Sequence, residues 1–278
     1  MSLQISHILL PTDFSEISDK ALPFALELAK RNKASITMMH TIEEPYDFAP
    51  MLEDIRKQVN RKVKTLFKDK LEEIAKRSEY SELDIDTSIQ NGRVSLAILE
   101  EAKLSKADLI VMGTTGATGL QKVLFGSNAS EIILQSKVPV LVVPKNSGYN
   151  GLEHITFLTD YNDGDLNALQ ETADIAGLFN SKITVLHIAK ERNLKTETMH
   201  RGFIDMVTKQ LNYKDMDFEL VIQNNFIAGV ADFLETKTTS LITMVRYKKP
   251  FFSKLLSRNH SKELGFYSKL PLLVLMGE

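Results

Sequence analysis

The chain repeats itself, and the repeat limits what it can fold into. His7-Ile-Leu-Leu-Pro-Thr-Asp13 is echoed by His154-Ile-Thr-Phe-Leu-Thr-Asp160. Ala34-Ser-Ile-Thr-Met-Met-His40 is echoed by Ser181-Lys-Ile-Thr-Val-Leu-His187, again 147 residues on. Ile89-Gln-Asn-Gly92 matches Ile222-Gln-Asn-Asn225. Ser136-Lys-Val-Pro-Val-Leu-Val-Val143 matches Ser268-Lys-Leu-Pro-Leu-Leu-Val-Leu275, now at an offset of 132. The offset shrinks because the first half has a longer segment between its second and third strands. Four matches in one order argue for duplication. With 278 residues, the expectation is two domains, 1–147 and 148–278, joined at the polar, glycine-bearing stretch 145–151.

Within the first half, short apolar runs alternate with helical periodicity. Strands are expected at residues 5–10, 35–40, 83–89, 109–112 and 138–143. Helices are expected at 17–31, 54–78 and 128–135. Three of the strands are nearly continuous apolar runs, which fits strands covered on both faces. The fold class expected is α/β, with two tandem doubly wound parallel sheets.

Composition excludes several functions. Lys and Arg total 34 and Asp and Glu 36, a formal charge of −2, so the chain as a whole is not built to grip nucleic acid or anionic lipid. Without cysteine there are no disulfides, thiolate metal sites or cysteine nucleophiles. No apolar run approaches the ~18 residues of a membrane span, and no secretory leader is evident. A cytoplasmic protein, with neither nucleic acid nor membrane as partner, is the expectation. Residues 54–77 carry nine Lys/Arg against four Asp/Glu, which reads as a solvated helix face.

In an open parallel sheet, ligands sit beyond the carboxyl ends of the strands, at a topological switch point. The residues to inspect there are Pro11, Thr12 and Asp13 after the first strand, Thr41 after the second, and Met112 and Gly113 at the fourth. The spacing Gly113-x2-Gly116-x9-Gly126-Ser127 is the sharpest signal in the chain. Glycine lets a backbone approach a ligand closely, and a helix beginning near residue 127 would offer free N–H groups to phosphate oxygens. Plainer readings stand beside this one. The glycines could simply end a strand in a turn. Ser127, or Asn128 with Glu131, could merely cap the helix. Asp13 could be a helix-start residue, and its recurrence as Asp160, in a half without the glycines, favours that.

These residues resemble the universal stress protein family in its tandem form. The likeness rests on Pro11-Thr12-Asp13-Phe14-Ser15, the strand end Met38-Met39-His40-Thr41, the glycine motif, and Val138-Pro139-Val140-Leu141-Val142-Val143. The second half matches in its first, second and last strands only. The resemblance implies a Rossmann-like, adenine nucleotide alpha hydrolase-like fold. It also implies ATP (or AMP or ADP) in the first domain, with Mg²⁺ bridging the phosphates. Asp13 would hold the adenosine moiety, and Thr41 would meet adenine through its backbone. Gly113 and Gly116 would lie against ribose and phosphate. Gly126, Ser127, Asn128 and Ser130 would cradle the phosphates. It further implies that terminal strands pair two domains as an intrachain pseudo-dimer, and it leaves a homodimer open.

The second half departs from the pattern: Val245, Lys248, Arg258 and Asn259 stand where the first half has Gly113, Gly116, Gly126 and Ser127. Side chains there would fill space the backbone must vacate, so no nucleotide is expected in that half. The stretch 246–262, with six Lys/Arg and no acid, reads as a solvated basic face. Phe251-Phe252 with Leu255-Leu256 reads as core or subunit contact. There is no Gly-x4-Gly-Lys-Ser/Thr and no Gly-x-Ser-x-Gly, and no His-x3-His spacing suggests zinc. A nucleotide-binding sensor or regulator of the stress response is the leading reading. A slow ATPase or phosphotransferase using Asp13 or His40 is one alternative. A ligand-free scaffold pairing through strands 138–143 and 270–276 is the other.

Overall fold

A computed structural model describes residues 3–43, 52–114, 126–247 and 269–277. The chain divides into two compact units, with the change from one to the other falling between Val140 and Leu141.

The first unit contains β1 (His7–Pro11), α1 (Glu16–Asp19), α2 (Leu22–Asn32), β2 (Ser35–Ile42), α3 (Leu52–Ala75), β3 (Ile85–Asn91), α4 (Val94–Leu104), β4 (Leu109–Gly113) and α5 (Ser127–Gln135); β5 (Val140–Val143) follows at the change of unit. Its sheet runs β3-β2-β1-β4, and the pairs β1–β2, β1–β4 and β2–β3 are parallel. The chain thus lays β2 and β3 on one side of β1, then returns to place β4 on the other. That reversal is the switch point, and it lies between the carboxyl ends of β1 and β4. Ile8, Leu9, Leu109, Ile110 and Val111 are fully buried, which is why these two strands read as unbroken apolar runs.

The second unit contains β6 (His154–Leu158), α6 (Asp165–Phe179), β7 (Lys182–Ala189), α7 (Leu194–Gln210), β8 (Met216–Ile222), α8 (Phe226–Thr236), β9 (Leu241–Arg246) and β10 (Leu272–Met276). Its order, β8-β7-β6-β9-β10, is parallel throughout. Ile8 pairs with Leu109 in the first unit and Ile155 with Leu241 in the second. This register sets Val245 at the strand position of Gly113, as the sequence alignment of the halves has it. Both units also end the helix before the second strand alike. Lys33 (φ 56°) and Asn180 (φ 54°) adopt the left-handed conformation that closes a helix.

One sequence expectation fails here. Residues 17–31 form two helices, because Lys20 and Ala21 donate to Ile17 and Ser18 in tight three-residue turns. Pro23 then falls in the first turn of α2, the helical position where its missing N–H costs nothing. The basic α3 carries i,i+4 ion pairs, Lys57 with Glu53 and Lys68 with Glu72, as a solvated face does. Among the described residues, no helix is long and apolar enough to cross a membrane. Phe251, Phe252, Leu255 and Leu256 lie outside the described residues, as does the basic stretch beyond Tyr247.

Candidate functional site

The loop after β1 is built from its own polar groups. Thr12 continues the sheet by donating its N–H to Met39 O at 2.8 Å. Its hydroxyl accepts from Phe14 N at 3.0 Å and meets Ser18 Oγ at 3.1 Å. Asp13 Oδ1 accepts from Ser15 N at 3.0 Å, and Ser15 caps α1. These bonds hold Phe14 at φ 59°, an uncommon conformation for an aromatic residue. Its ring rests on His40 and Phe67, with centroids 5.1 and 5.0 Å away. The His40 Nδ1–H donates to Thr12 O at 2.8 Å. From α3, Lys70 reaches Asp19 at 3.0 Å and Glu73 at 3.1 Å, pinning α1 beside the loop.

Across the switch point, Gly113 closes β4. Nothing in its backbone conformation demands glycine; space does. A Cβ there would meet the carbonyl oxygen of Ile17 at 2.9 Å and Ser18 Cα at 3.3 Å. Gly113 thus lets α1 lie against the strand end. Thr114 follows, and its carbonyl accepts from Gly126 N at 2.6 Å, which fixes the start of α5 next to the end of β4. Gly126 is the N-cap of α5, and no side chain caps that helix. The plainer reading of Asn128 and Glu131 as a capping pair is therefore overturned. The Glu131 carboxylate turns to α4 instead, where Arg93 Nη2 lies 2.5 Å away and Ser95 Oγ 2.7 Å away. Ser127 is exposed, and Asn128 and Ser130 are half-buried.

Pro11, Thr12, Asp13, Met112, Gly113, Gly126 and Ser127 thus stand around the carboxyl ends of β1 and β4. Asn128 and Ser130 lie in the first turn of α5. Thr41 lies near the end of β2, two residues past the partner of Pro11. Gly116 lies outside the described residues.

The second unit keeps the same loop frame. Thr159 N–H donates to Leu186 O, the His187 Nδ1–H to Thr159 O, and Tyr161 N–H to the Thr159 hydroxyl, at 3.0, 2.8 and 2.9 Å. Tyr161 takes the place of Phe14 at φ 56° and stacks on His187 with centroids 4.1 Å apart. Its hydroxyl lies 2.6 Å from His200 Nδ1. Burial raises the pKa of that hydroxyl, with nearby Asp160 adding to the rise.

What fills the frame differs. Asp165, 1% exposed, stands where the first unit has Ser18. Its Oδ2 accepts from the Thr159 hydroxyl at 2.6 Å and from the N–H groups of Asp160 and Asn162, each at 3.1 Å. Its Oδ1 accepts from the Tyr247 hydroxyl. The Tyr247 ring occupies the place a side chain at Gly164 would need: a Cβ there would meet it at 3.1 Å. Sequence reading missed Asp165 and Tyr247. The available signal was the exchange of Ile17-Ser18 for Gly164-Asp165 just after the matched segments His7–Asp13 and His154–Asp160.

Comparison with known proteins agrees with this architecture. Residues 4–144 match the model of the universal stress protein family. A universal stress protein of Methanocaldococcus jannaschii is 35% identical over 139 residues, half of this chain and 81% of that protein. Universal stress protein YxiE of Bacillus subtilis is 29% identical over 147 residues, 49% of this chain and 97% of that protein. The crystal structure of a universal stress protein from Archaeoglobus fulgidus aligns with 99% of this chain and 98% of its own, with TM-score 0.73 and 18% identity, a likeness of fold. With the family's sequence pattern across its first half and the family's fold along its length, this chain belongs to the universal stress protein family.

Proposed function

We propose that the first unit binds an adenine nucleotide, ATP or its di- or monophosphate, at its switch point, and that occupancy is read out as a regulatory signal in the stress response. The observation that carries this reading is the start of α5. It opens on Gly126-Ser127 with no capping side chain, and it is tied to the end of β4 across from Thr12 and Asp13. N–H groups and the positive end of a helix dipole suit phosphate oxygens. The adenine assignment rests on the family pattern carried by Asp13 and Thr41. Mg²⁺ enters as the companion of the phosphates rather than as an ion held by the protein, as its chemistry favours.

Catalysis is not the main business of this site. The His40 Nδ1–H is committed to Thr12 O, and Asp13 Oδ1 to Ser15 N. In the neutral ring the bond to Thr12 O leaves the His40 lone pair on Nε2, so slow hydrolysis is within this site's chemistry and turnover is the quantity to measure. The test is to denature the purified protein, identify any nucleotide released, and titrate ATP into nucleotide-free protein. One nucleotide per chain, lost in Gly126→Arg, supports the reading. No binding overturns it, and two per chain overturns the exclusion of the second unit. Turnover above about one per second would favour an enzyme, since kinases work on that scale.

A further inference from the structure

The switch point of the second unit is an open cleft whose chemistry is the reverse of an anion site. Leu158, Met244 and Val245 form an apolar base, with Phe226 and Tyr247 among the lining and Asp160 at the rim. Of the nine described lining residues two are aspartates and none is basic, so these residues offer a cation more than a phosphate. Nor is the nearby helix start an anion seat. The Asn225 Oδ1 already accepts from Ile227 N and Ala228 N, at 2.8 and 3.2 Å.

The two aspartates are not equivalent. Asp165 is wholly committed to the loop and to Tyr247. By taking the amides of Asp160 and Asn162 it relieves Asp160 of the turn-building work that Asp13 does in the first unit. Among the described residues the Asp160 carboxylate accepts no hydrogen bond. Among the described residues its recorded ion-pair neighbour is His187 Nδ1 at 3.9 Å, a ring nitrogen already donating to Thr159 O. Burial pushes the Asp160 carboxyl above the usual aspartate range. The Asp160 side chain is 39% exposed at the rim, so water solvates it, and a cationic donor arriving from solvent would replace that water with a charge-assisted hydrogen bond.

We propose that this cleft binds a small organic cation: a protonated amine on an apolar or flat body, its N–H groups taken by Asp160 and its body lying against Phe226 and Tyr247. The carboxylate gives a charge-assisted hydrogen bond, and aromatic faces attract ammonium groups. The apolar base favours a body without polar substituents. The site is independent of the nucleotide reading for the first unit.

The probes are benzylammonium and its neutral analogue benzyl alcohol, each titrated calorimetrically into the full-length chain at neutral pH. Benzylammonium is expected to bind at least about tenfold more tightly than the alcohol, the scale of one hydrogen bond to a charged group. The preference should vanish in Asp160→Asn and persist in Asp163→Asn, which alters an exposed neighbour outside the cleft. It should also survive in Gly126→Arg, whatever happens to ATP. No binding of benzylammonium, equal binding of both probes, a preference retained in Asp160→Asn, or competition between amine and ATP would each overturn the proposal.

Discussion

The loops after β1 and β6 share a frame and differ in filling. Both place an aromatic residue at positive φ over a histidine whose Nδ1–H holds the preceding threonine carbonyl. In the first unit two hydroxyls, of Thr12 and Ser18, stabilise the turn, and Asp13 serves the backbone just beyond it. In the second, one buried carboxylate, Asp165, gathers four donors. The glycine has moved as well. The first unit has Gly113 on the strand facing Ile17 on the helix side. The second has Val245 on the strand, while Gly164, at the position of Ile17, makes room for Tyr247. Duplicated scaffolds can thus keep a backbone and reassign the space above it. The exchange turned a cleft beside an uncapped helix start into one with an acidic rim and an aromatic side.

That comparison breaks most readily at Asp165. Asp165→Ala should destabilise the second unit by about 3 kcal/mol, because it strands several donors around a buried site. Urea unfolding would measure the loss, and faster hydrogen exchange at the amides of Asp160 and Asn162 would locate it. Gly113→Val should cost the first unit about 2 kcal/mol, because the neighbour it meets is backbone and cannot swing aside. The same variant should lose ATP binding in the titration described above. If Gly113→Val were neutral, α1 would not be packed on the strand end as described.

Smaller effects sharpen the contrast. Tyr247→Phe removes one donor from Asp165, and a loss of about 1–2 kcal/mol in the urea midpoint is expected. Ser18→Ala, the matching test in the first unit, should cost about 1 kcal/mol, since it removes one neutral hydroxyl. The slightest effect concerns pH. The Asp160 carboxyl binds its proton more tightly folded than unfolded, chiefly through burial. Stability therefore falls as pH rises from the ordinary aspartate range through the raised folded value. Asp160→Asn should raise the neutral-pH melting temperature by about 1–2 °C. That gain should disappear below the ordinary aspartate range, in scans at several pH values.

Much of this was legible beforehand. The continuous apolar strands, the alternation with helices and the repeat of His7–Asp13 in His154–Asp160 announce parallel sheets and matched loops, because burial on both faces admits little but apolar residues. The break between α1 and α2 was not legible: the periodicity of residues 17–31 runs straight through it, and only tight turns ahead of Pro23 divide it. Glu131 misled for a similar reason. Its spacing from Asn128 suits a local cap, but Arg93 and Ser95 on the neighbouring helix compete for it.

The sequence alone determined the repeating α/β plan, the order of its elements and the half that keeps the glycine pattern, since these follow from periodicity and backbone freedom along the chain. Tertiary structure decided why Gly113 must be glycine, that Asp165 rather than Asp160 builds the second loop, and that Tyr247 takes the room spared at Gly164. Those are contacts between residues up to 96 positions apart in sequence. Space and hydrogen-bond partners are settled by which atoms the fold brings together, and no local pattern of residues records that.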